Sequence, residues 1–349
     1  MRVVVIGATG NVGGLLVDRL VADPAVDEVV GASRRRPDDF PAAAQWRPLD
    51  LRTDDPAPLL AGADAVVHLG WLFQPTHRPG TTWAANVEGT ARVLRAVSET
   101  GVQSLVYASS VGAYSPRTSL RRVDEDWPTH GFATAAYSRE KAYVERMLDT
   151  FESTHPDRRI VRLRPGFIFR REAAVGQRRL FGGPLVPAKL LRKVRVPVLP
   201  DPGGLVFQTV HTDDVVQAYQ RAVTGDARGA FNIAADPVID MPTIGHLIGV
   251  PVVRVPQRPV RAALAAAWSA HLMPPAPGLF DLLARVPLMD TARARDELGW
   301  QPEHDSIDAL RALLAGLEEN TGAATPPLDP QTSGPLRSHE FGTGIGEQP

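Results

Sequence analysis

The sequence predicts an α/β fold in which a doubly wound parallel sheet carries a smaller C-terminal α/β lobe. The chain opens on an uninterrupted apolar run, Val3 to Ile6, which is typical of a strand buried on both faces. Later apolar runs of similar length alternate with segments of helical periodicity, and this order favours parallel strands joined by right-handed crossovers. After Pro165 the composition turns rich in Pro, Gly and Arg as far as Gly204, which predicts an excursion out of the sheet.

These runs place the individual elements along the chain. One helix ends at the stop residue Gly101, and the segment Thr212 to Asp214 is expected to cap a later helix. The run 205–210 is predicted to bring the chain back into the sheet after the excursion. The predicted strands are 3–6, 28–32, 45–50, 63–70, 104–108, 159–164, 205–210 and 231–234, and the predicted helices include 81–100 and 133–145.

Composition excludes several classes of function. The chain has 349 residues and a formal net charge of −1, and its arginine pairs are scattered, which argues against a nucleic-acid partner. It contains no cysteine, so disulfides and thiolate catalysis are excluded, and we predict no metal site. The longest apolar run, Ala262 to Trp268, falls far short of the roughly 20 residues that cross a bilayer. The first strand also leaves no room for a signal peptide, so we expect a cytoplasmic protein with no membrane partner.

Three glycines follow the first strand and open directly into a helix. Gly7 permits the tight turn, Gly10 lets the backbone approach a pyrophosphate, and Gly13 lets the helix pack closely on the strand. The free N–H groups of the helix N-terminus then point at the anion. The alternative is a glycine turn with no ligand. The predicted contacts to a dinucleotide here are Gly7, Thr9, Gly10, Asn11, Val12 and Gly13.

A glycine turn of this kind after the first strand predicts a Rossmann-like sheet, and it suggests how the chain divides into domains. We expect a dinucleotide-binding domain of residues 1–165 and 205–233 and a substrate-binding lobe of residues 166–204 and 234–318. Residues 320–349 lack periodicity and are expected to form a flexible tail.

The end of the second strand bears on the choice of dinucleotide. An acidic residue at this position holds the ribose 2′-hydroxyl of NAD, whereas an arginine accommodates the 2′-phosphate of NADP. Here Ser33 takes the acidic position and is followed by Arg34, Arg35 and Arg36. The pattern favours NADP over NAD, and the alternative is a solvated basic loop.

Three side chains suit the reduction of a carbonyl group. Ser110 follows the fifth strand, and Tyr137 and Lys141 lie four residues apart on one face of the next helix. Tyr137 is the candidate acid and base, and Ser110 would hydrogen-bond the substrate oxygen. Lys141 would hold the nicotinamide ribose and lower the pKa of Tyr137, since a nearby positive charge favours the phenolate. Two exposed surface residues are the alternative for a Tyr-x-x-x-Lys pair alone.

With these residues in place, the chain resembles an extended short-chain dehydrogenase/reductase of the NAD-dependent epimerase/dehydratase family, from residue 1 to about residue 315. The resemblance implies that Asp50 and Leu51 contact adenine, that Leu69 and Gly70 line the pyrophosphate side, and that Asn86 belongs to a water network near the active site. Further ordered matches are His68-Leu69-Gly70, Asn86 to Thr90, Tyr107 to Ser110 leading to Tyr114, Arg164-Pro165 with Pro165 at the cofactor, Val210 to Val215, and Asp290 to Pro302.

Departures from the family pattern bear on the substrate. Family dehydratases carry an Asp-Glu pair where this chain has Val111 and Gly112, so dehydration by that mechanism is not expected. Sugar-nucleotide members have an Asn where this chain has Phe167, which weakens a nucleotide-sugar assignment. Arginines nearby could still receive phosphates, or could form a solvated loop: Arg170, Arg171, Arg178 and Arg179. For His211 and Asp214 we favour a role at a strand-to-helix junction.

The sequence therefore predicts an NAD(P)-dependent oxidoreductase or epimerase acting at a secondary alcohol or ketone centre of a small-molecule substrate. A nucleotide-sugar epimerase and a non-catalytic NAD(P)-binding protein remain alternatives. The stretch Arg261 to Leu288 could line an apolar pocket or form the core of the lobe. Two helices flanking the sheet are compatible with a homodimer, as in many members of the family.

Overall fold

The computed structural model describes residues 1–73, 77–181, 197–273, 275–325 and 327–329. Its centre is a seven-stranded sheet with the spatial order β12, β7, β5, β4, β1, β2, β3, and each pair of neighbours is parallel. The predicted doubly wound fold is confirmed. The strands are β1 (Arg2–Ile6), β2 (Glu28–Ser33), β3 (Gln45–Pro48), β4 (Ala65–His68), β5 (Ser104–Ala108), β6 (Arg122–Val123), β7 (Arg159–Pro165), β8 (Phe167–Phe169), β9 (Leu199–Asp201), β10 (Val206–Phe207), β11 (Thr209–His211), β12 (Gly229–Ile233), β13 (Ile239–Asp240), β14 (Val252–Arg254) and β15 (Leu288–Met289).

Helices cover both faces of the sheet. Alternate residues of β1 enter two different cores: Val3 and Val5 join the cluster under α1, whereas Val4 and Ile6 join the cluster under α4 and α5. This explains the continuous apolar run that opens the sequence. The helices are α1 (Asn11–Val21), α2 (Ala57–Leu60), α3 (Pro79–Trp83), α4 (Gly89–Thr100), α5 (Ala136–Thr154), α6 (Ala174–Phe181), α7 (Thr212–Thr224), α8 (Met241–Ile248), α9 (Gln257–Ser269), α10 (Pro277–Arg285), α11 (Ala292–Asp296) and α12 (Ser306–Glu319).

One strand prediction is wrong. The run 205–210 does not rejoin the large sheet: β10 pairs with β13 and β11 pairs with β8, each in a sheet of two strands. The cause is the side chain of Gln208, which lies between the two strands. Its amide accepts a hydrogen bond from the backbone N–H of Met289 at 2.6 Å and donates to the Met289 carbonyl at 3.3 Å, so it ties the segment to β15.

Three helix predictions also differ from the structure, one of them being the helix expected over 133–145, which is α5 and ends only at Thr154. The helix expected over 81–100 consists of α3, a π-helical turn at Ala84–Glu88 and α4, although Gly101 does end it in the left-handed conformation, with φ of 77°. The helix α7 is capped by His211, whose imidazole accepts a hydrogen bond from the Asp213 N–H, so Thr212 to Asp214 form its first turn rather than its cap.

The predicted flexible tail is wrong for its first residues. Asn320 ends α12 in the left-handed conformation, and the chain then folds back so that Thr321 accepts a hydrogen bond from the Val175 N–H at 3.3 Å. Leu328 is buried. Residues 330–349 of the predicted tail lie outside the described residues. Within the described ranges, no helix combines the length and the apolar character that crossing a membrane requires.

Candidate active site

A cavity of about 480 Å³ lies along the carboxyl ends of the central strands. Its size is in the range of ligand sites, and open α/β sheets bind their ligands at this edge. It brings together almost all of the site residues predicted from the sequence. On its wall lie Gly7, Thr9, Gly10, Asn11, Val12, Gly13, Ser33, Arg34, Asp50, Leu51, Leu69, Gly70, Ser110, Tyr137, Lys141 and Pro165.

The glycine turn has the shape of a phosphate cradle. Gly7 has φ of 91°, and a Cβ there would lie 2.8 Å from the backbone nitrogen of Gly70. A Cβ on Gly13 would lie 2.1 Å from the carbonyl oxygen of Gly7, whereas one on Gly10 would meet its nearest atom at 3.4 Å. The first and third glycines therefore allow close packing, and the second leaves the helix N-terminus open to the cavity. These features fit the pyrophosphate of a dinucleotide.

The side chain of Asn11 is directed away from this role. Its amide nitrogen donates to the hydroxyl of Thr212 at 3.2 Å, which joins the start of α1 to the start of α7. Asn11 therefore offers the cavity its backbone N–H, and its side chain fixes the position of the helix end.

The end of β2 carries positive charge without a carboxylate. The hydroxyl of Ser33 accepts from the indole N–H of Trp46 at 2.9 Å and donates to the carbonyl of Arg35 at 2.8 Å. Arg34 and Arg35 line the cavity. Burial lowers the pKa of Arg34, and Asp50 opposes that shift. Asp50 itself is held by Arg52, whose hydrogen bonds lower its pKa.

Tyr137 and Ser110 meet at the centre of the cavity. A hydrogen bond with Ser110 lowers the pKa of Tyr137, but burial has the larger effect and raises that pKa to about 12. The Ser110 hydroxyl also accepts from the Gly112 N–H at 2.9 Å. A Cβ at Gly112 would lie 2.7 Å from the ring of Tyr137 and 3.3 Å from the Ser110 hydroxyl, so a glycine is needed for this arrangement.

Lys141 lies on the same face of α5, as predicted. Its amine is 6.0 Å from the centre of the Tyr137 ring and 3.4 Å from the centre of the Trp71 ring, and it donates to the carbonyl of Ala108 at 2.6 Å. Burial lowers the pKa of Lys141 well below its usual value. Burial also lowers the pKa of His68 to about 3, and the charge of Lys141 adds to this shift.

The expectation that Lys141 lowers the pKa of Tyr137 stays a prediction, because burial has the largest effect on the pKa of both groups. The pKa of Tyr137 is raised by burial and by Glu140, and Ser110 is the group that opposes the shift. Lys141 is itself buried, which disfavours the ammonium charge on which the expectation depends. Burial therefore favours the uncharged form of both groups.

Among the predicted catalytic and cofactor-binding residues, Asn86 alone is not on the cavity wall. It is fully buried, and its amide donates to the carboxylate of Glu140 at 2.7 Å and to the carbonyl of Leu72 at 3.1 Å. It also accepts from the Leu72 N–H at 2.6 Å. Asn86 thus holds the backbone of a segment, Trp71 to Phe73, that lies against Tyr137.

A buried ion-pair network lies next to the site on α5 and β7, and the sequence analysis did not predict it. Glu145 lies two helix turns from Tyr137 and accepts hydrogen bonds from Arg162 and Arg164 at 2.9 Å. Burial opposes ionisation, but the two guanidinium groups, Arg164 first, lower its pKa to about 2. Arg164 also donates to the hydroxyl of Tyr114 at 3.0 Å. One sequence signal could have predicted this network. Arg162 and Arg164 lie on alternate positions of a buried strand, and a buried guanidinium needs a buried partner.

The strand-to-helix junction matches its prediction for Asp214. Its carboxylate accepts from the N–H groups of Glu303 and His304 at 2.9 and 3.1 Å. His211, Asp213 and His304 place one potential metal-ligand atom each within 4.8 Å of one another. A hydrogen bond with His211 lowers the pKa of Asp213, and the charge of Arg170 acts in the same direction. That neighbouring positive charge disfavours a cation at this cluster.

Comparison with known proteins decides the family. The model of the NAD dependent epimerase/dehydratase family matches residues 3–234. The chain belongs to this family. The match covers the glycine turn, Ser110, Tyr137 and Lys141.

Three individual proteins to which the chain is similar share less than 30% sequence identity with it. An uncharacterized protein of Mycobacterium tuberculosis is 28% identical over 92% of this chain, which spans 31% of that protein's length. A 3-diazoavenalumate denitrifying reductase of a Streptomyces species is 29% identical over 88% of this chain and 97% of its own. A UDP-glucose 4-epimerase from Stenotrophomonas maltophila, solved with NAD and formylated UDP-arabinopyranose, has a TM-score of 0.67 at 21% identity and covers 92% of this chain and 98% of its own. This last likeness shows the fold.

Proposed function

We propose that the protein is an NAD(P)-dependent oxidoreductase that interconverts a secondary alcohol and a ketone. The observation that carries the proposal is the meeting of Ser110, Tyr137 and Lys141 in one cavity with the glycine cradle. A family member that only bound a dinucleotide would not need a hydroxyl, a phenol and an amine at the same place.

The nicotinamide cofactor, when bound, supplies or accepts the hydride. The side chains of the protein donate the proton and bind the substrate oxygen. Because burial raises the pKa of Tyr137 to about 12, its phenol is protonated at neutral pH and can donate to the oxygen of a ketone undergoing reduction. Ser110 hydrogen-bonds the same oxygen and stabilises the charge that develops on it. Lys141, one turn from Tyr137 on α5 and on the same cavity wall, would hold the ribose of the cofactor.

For the cofactor itself, the proposal favours NADP over NAD. Support comes from the end of β2, where Ser33 stands in place of an acid and the side chains of Arg34 and Arg35 line the cavity. Among the described residues neither of these arginines forms a hydrogen bond or ion pair through its guanidinium. A planar guanidinium suits the 2′-phosphate of NADP.

Dehydration is not part of the proposal. The family's dehydratases place an Asp-Glu pair at the positions of Val111 and Gly112. The contact of 2.7 Å that a Cβ at Gly112 would make with Tyr137 argues that a longer acidic side chain could not be added there without moving the acid/base residue.

A nucleotide-sugar epimerase is the second candidate. It is favoured by the solved neighbour that holds NAD together with a UDP-sugar, while the reductase is favoured by the Streptomyces relative, whose name is that of a reductase. Both reactions use the same three side chains, and they differ in whether the cofactor is consumed.

The experiment is to incubate the purified chain with NADPH or NADH and a panel of ketones, aldehydes and nucleotide sugars. Absorbance at the dihydronicotinamide band and the mass of the products are followed together. Stoichiometric loss of the cofactor with a gain of two hydrogen atoms in a product supports the oxidoreductase. An isomeric sugar formed without net loss of cofactor supports the epimerase. If the protein binds the cofactor but neither change occurs, the result supports a non-catalytic cofactor-binding protein.

A further inference from the structure

The cavity wall around Tyr137 is built from aromatic side chains. Phe73 meets the Tyr137 ring edge to face, with 4.7 Å between ring centres and 70° between planes. Trp71 meets it at 6.0 Å and 82°. Both belong to the segment that Asn86 holds through the backbone of Leu72, so the aromatic wall is fixed in place by buried hydrogen bonds.

A second group of apolar side chains also lines the cavity near Tyr137. Phe167 and Tyr137 pack against one buried cluster that contains Leu282, and Leu279 from the same helix, α10, also faces the cavity. The ring of Phe167 is braced edge to face by Phe207 at 5.1 Å. The ring of Tyr137 therefore contacts Trp71 and Phe73 and shares an apolar cluster with Phe167 and Leu282.

The charged side chains on the described cavity wall are either assigned to the cofactor or held by other groups of the protein. Arg34, Arg35, Asp50 and Arg52 gather at the end of β2 and β3, where the cradle predicts the adenosine end of the cofactor. Lys141 is held at the carbonyl of Ala108.

The arginines that the sequence offered as phosphate ligands do not supply a diphosphate site in the described part of the chain. Arg171 forms an ion pair with Glu319 on the surface. Arg170 and Arg178 do not line the cavity, and Arg179, which does, donates to the carbonyl of Asp329 at 2.6 Å. A diphosphate placed against Phe167 would lose its hydration with little in return.

We propose that the substrate bound against Tyr137 is an apolar, ring-bearing ketone or secondary alcohol rather than a sugar diphosphate. The inference rests on the proposed function. In the reduction, the carbonyl carbon accepts a hydride from a dihydronicotinamide, and the carbonyl oxygen accepts the phenolic proton of Tyr137. The products are the secondary alcohol and the oxidised nicotinamide, and Tyr137 regains its proton from water. The aromatic rings of Phe73 and Phe167 near Tyr137 select the ring of the substrate.

The test measures binding apart from turnover. The full chain carrying Tyr137→Phe is loaded with NADPH, and affinity is measured by calorimetry for acetophenone, 2-acetylnaphthalene and UDP-glucose, with saturation-transfer NMR reporting contacts of the ring protons. We expect at least one aromatic ketone to bind, with contacts to its ring, and to bind more tightly than UDP-glucose. If neither NADPH nor NADH binds, the proposed function fails before the substrate is tested; if only NADH binds, the same titrations are made with NADH.

Two substitutions at one position locate the ketone. Phe167→Asn, which restores the family's amide, should weaken binding of the ketone roughly tenfold or more, whereas Phe167→Leu should keep it within about threefold, because it preserves an apolar wall. Leu120→Asn, at an exposed position, is the matched control for an added amide. If Phe167→Asn unfolds, Leu279→Gln takes its place. Tighter binding of UDP-glucose than of either ketone, or cofactor binding without ketone binding, overturns the inference.

Discussion

Replacing Gly13 by alanine tests the phosphate cradle without any knowledge of the substrate. The added Cβ would lie 2.1 Å from the Gly7 carbonyl oxygen, and ordinary contact begins at 3.4 Å, so α1 must withdraw by about 1.3 Å (3.4 − 2.1) from the turn. Overpacking of this kind costs about 1–3 kcal/mol of stability. The same withdrawal moves the helix N-terminus away from the pyrophosphate. Losing one charge-assisted hydrogen bond costs about 1.5–3 kcal/mol, which corresponds to roughly 10- to 100-fold in the dissociation constant.

The assay is calorimetric titration with NADP+ and NAD+, accompanied by thermal unfolding of the free protein. Gly14→Ala is the matched control, because it lies in the same helix and its Cβ would meet its nearest atom, the Ala8 carbonyl oxygen, at 3.9 Å. Alanine there should leave affinity unchanged and stabilise the helix by about 0.5–1 kcal/mol. Binding by Gly13→Ala within threefold of the natural chain, or an equal loss in Gly14→Ala, would refute the reasoning.

Two further predictions concern the cofactor and the buried ion pairs. Ser33→Asp should weaken NADP+ binding roughly tenfold or more and spare NAD+, because a carboxylate repels the 2′-phosphate but accepts the 2′-hydroxyl; an equal loss for both cofactors in calorimetry would count against the assignment. Glu145→Gln should lower the free energy of unfolding by about 3 kcal/mol near pH 7, since a pKa of about 2 in place of 4.5 stabilises the folded state by that amount. This contribution is complete above about pH 4.5 and is lost as the pH falls towards 2, so urea unfolding curves of the two proteins should converge in acid, and a difference that persists at pH 2 would contradict the charge-based explanation. Glu318→Gln on the surface is the control.

The order of elements could be predicted because the strands of the central sheet are continuous apolar runs. Val3 to Ile6 contributes to both cores at once, as expected for a parallel strand covered by helices on both faces. The glycine turn and the Tyr137–Lys141 pair could be predicted because they follow from local spacing. These are statements about short stretches of chain, which a sequence displays directly.

Contacts between distant segments could not be predicted in this way. The run 205–210 looks like a strand of the main sheet, but Gln208 binds the backbone of Met289, which is 81 residues away. Leu328 resembles part of an irregular tail, yet it is buried at the cavity. The role of Asn86 depends on Leu72 and Glu140, which only the fold brings together.

The effect of burial on the charge of Lys141 could not be predicted either, for a related reason. Spacing alone places Lys141 one turn from Tyr137, but the depth of burial decides whether its amine carries the charge that would lower the tyrosine pKa. Burial of the two groups acts on both pKa values in the direction of the neutral forms.

The most direct test of the central claim is a comparison of Tyr137→Phe with the natural chain on a ketone that the natural chain reduces. The account predicts that the variant binds NADPH with unchanged affinity, because the phenolic oxygen is not part of the glycine cradle, and that its kcat falls by roughly 10²- to 10⁴-fold, the usual contribution of a general acid. Turnover at the natural rate by a variant that lacks the hydroxyl would show that Tyr137 is not the proton donor.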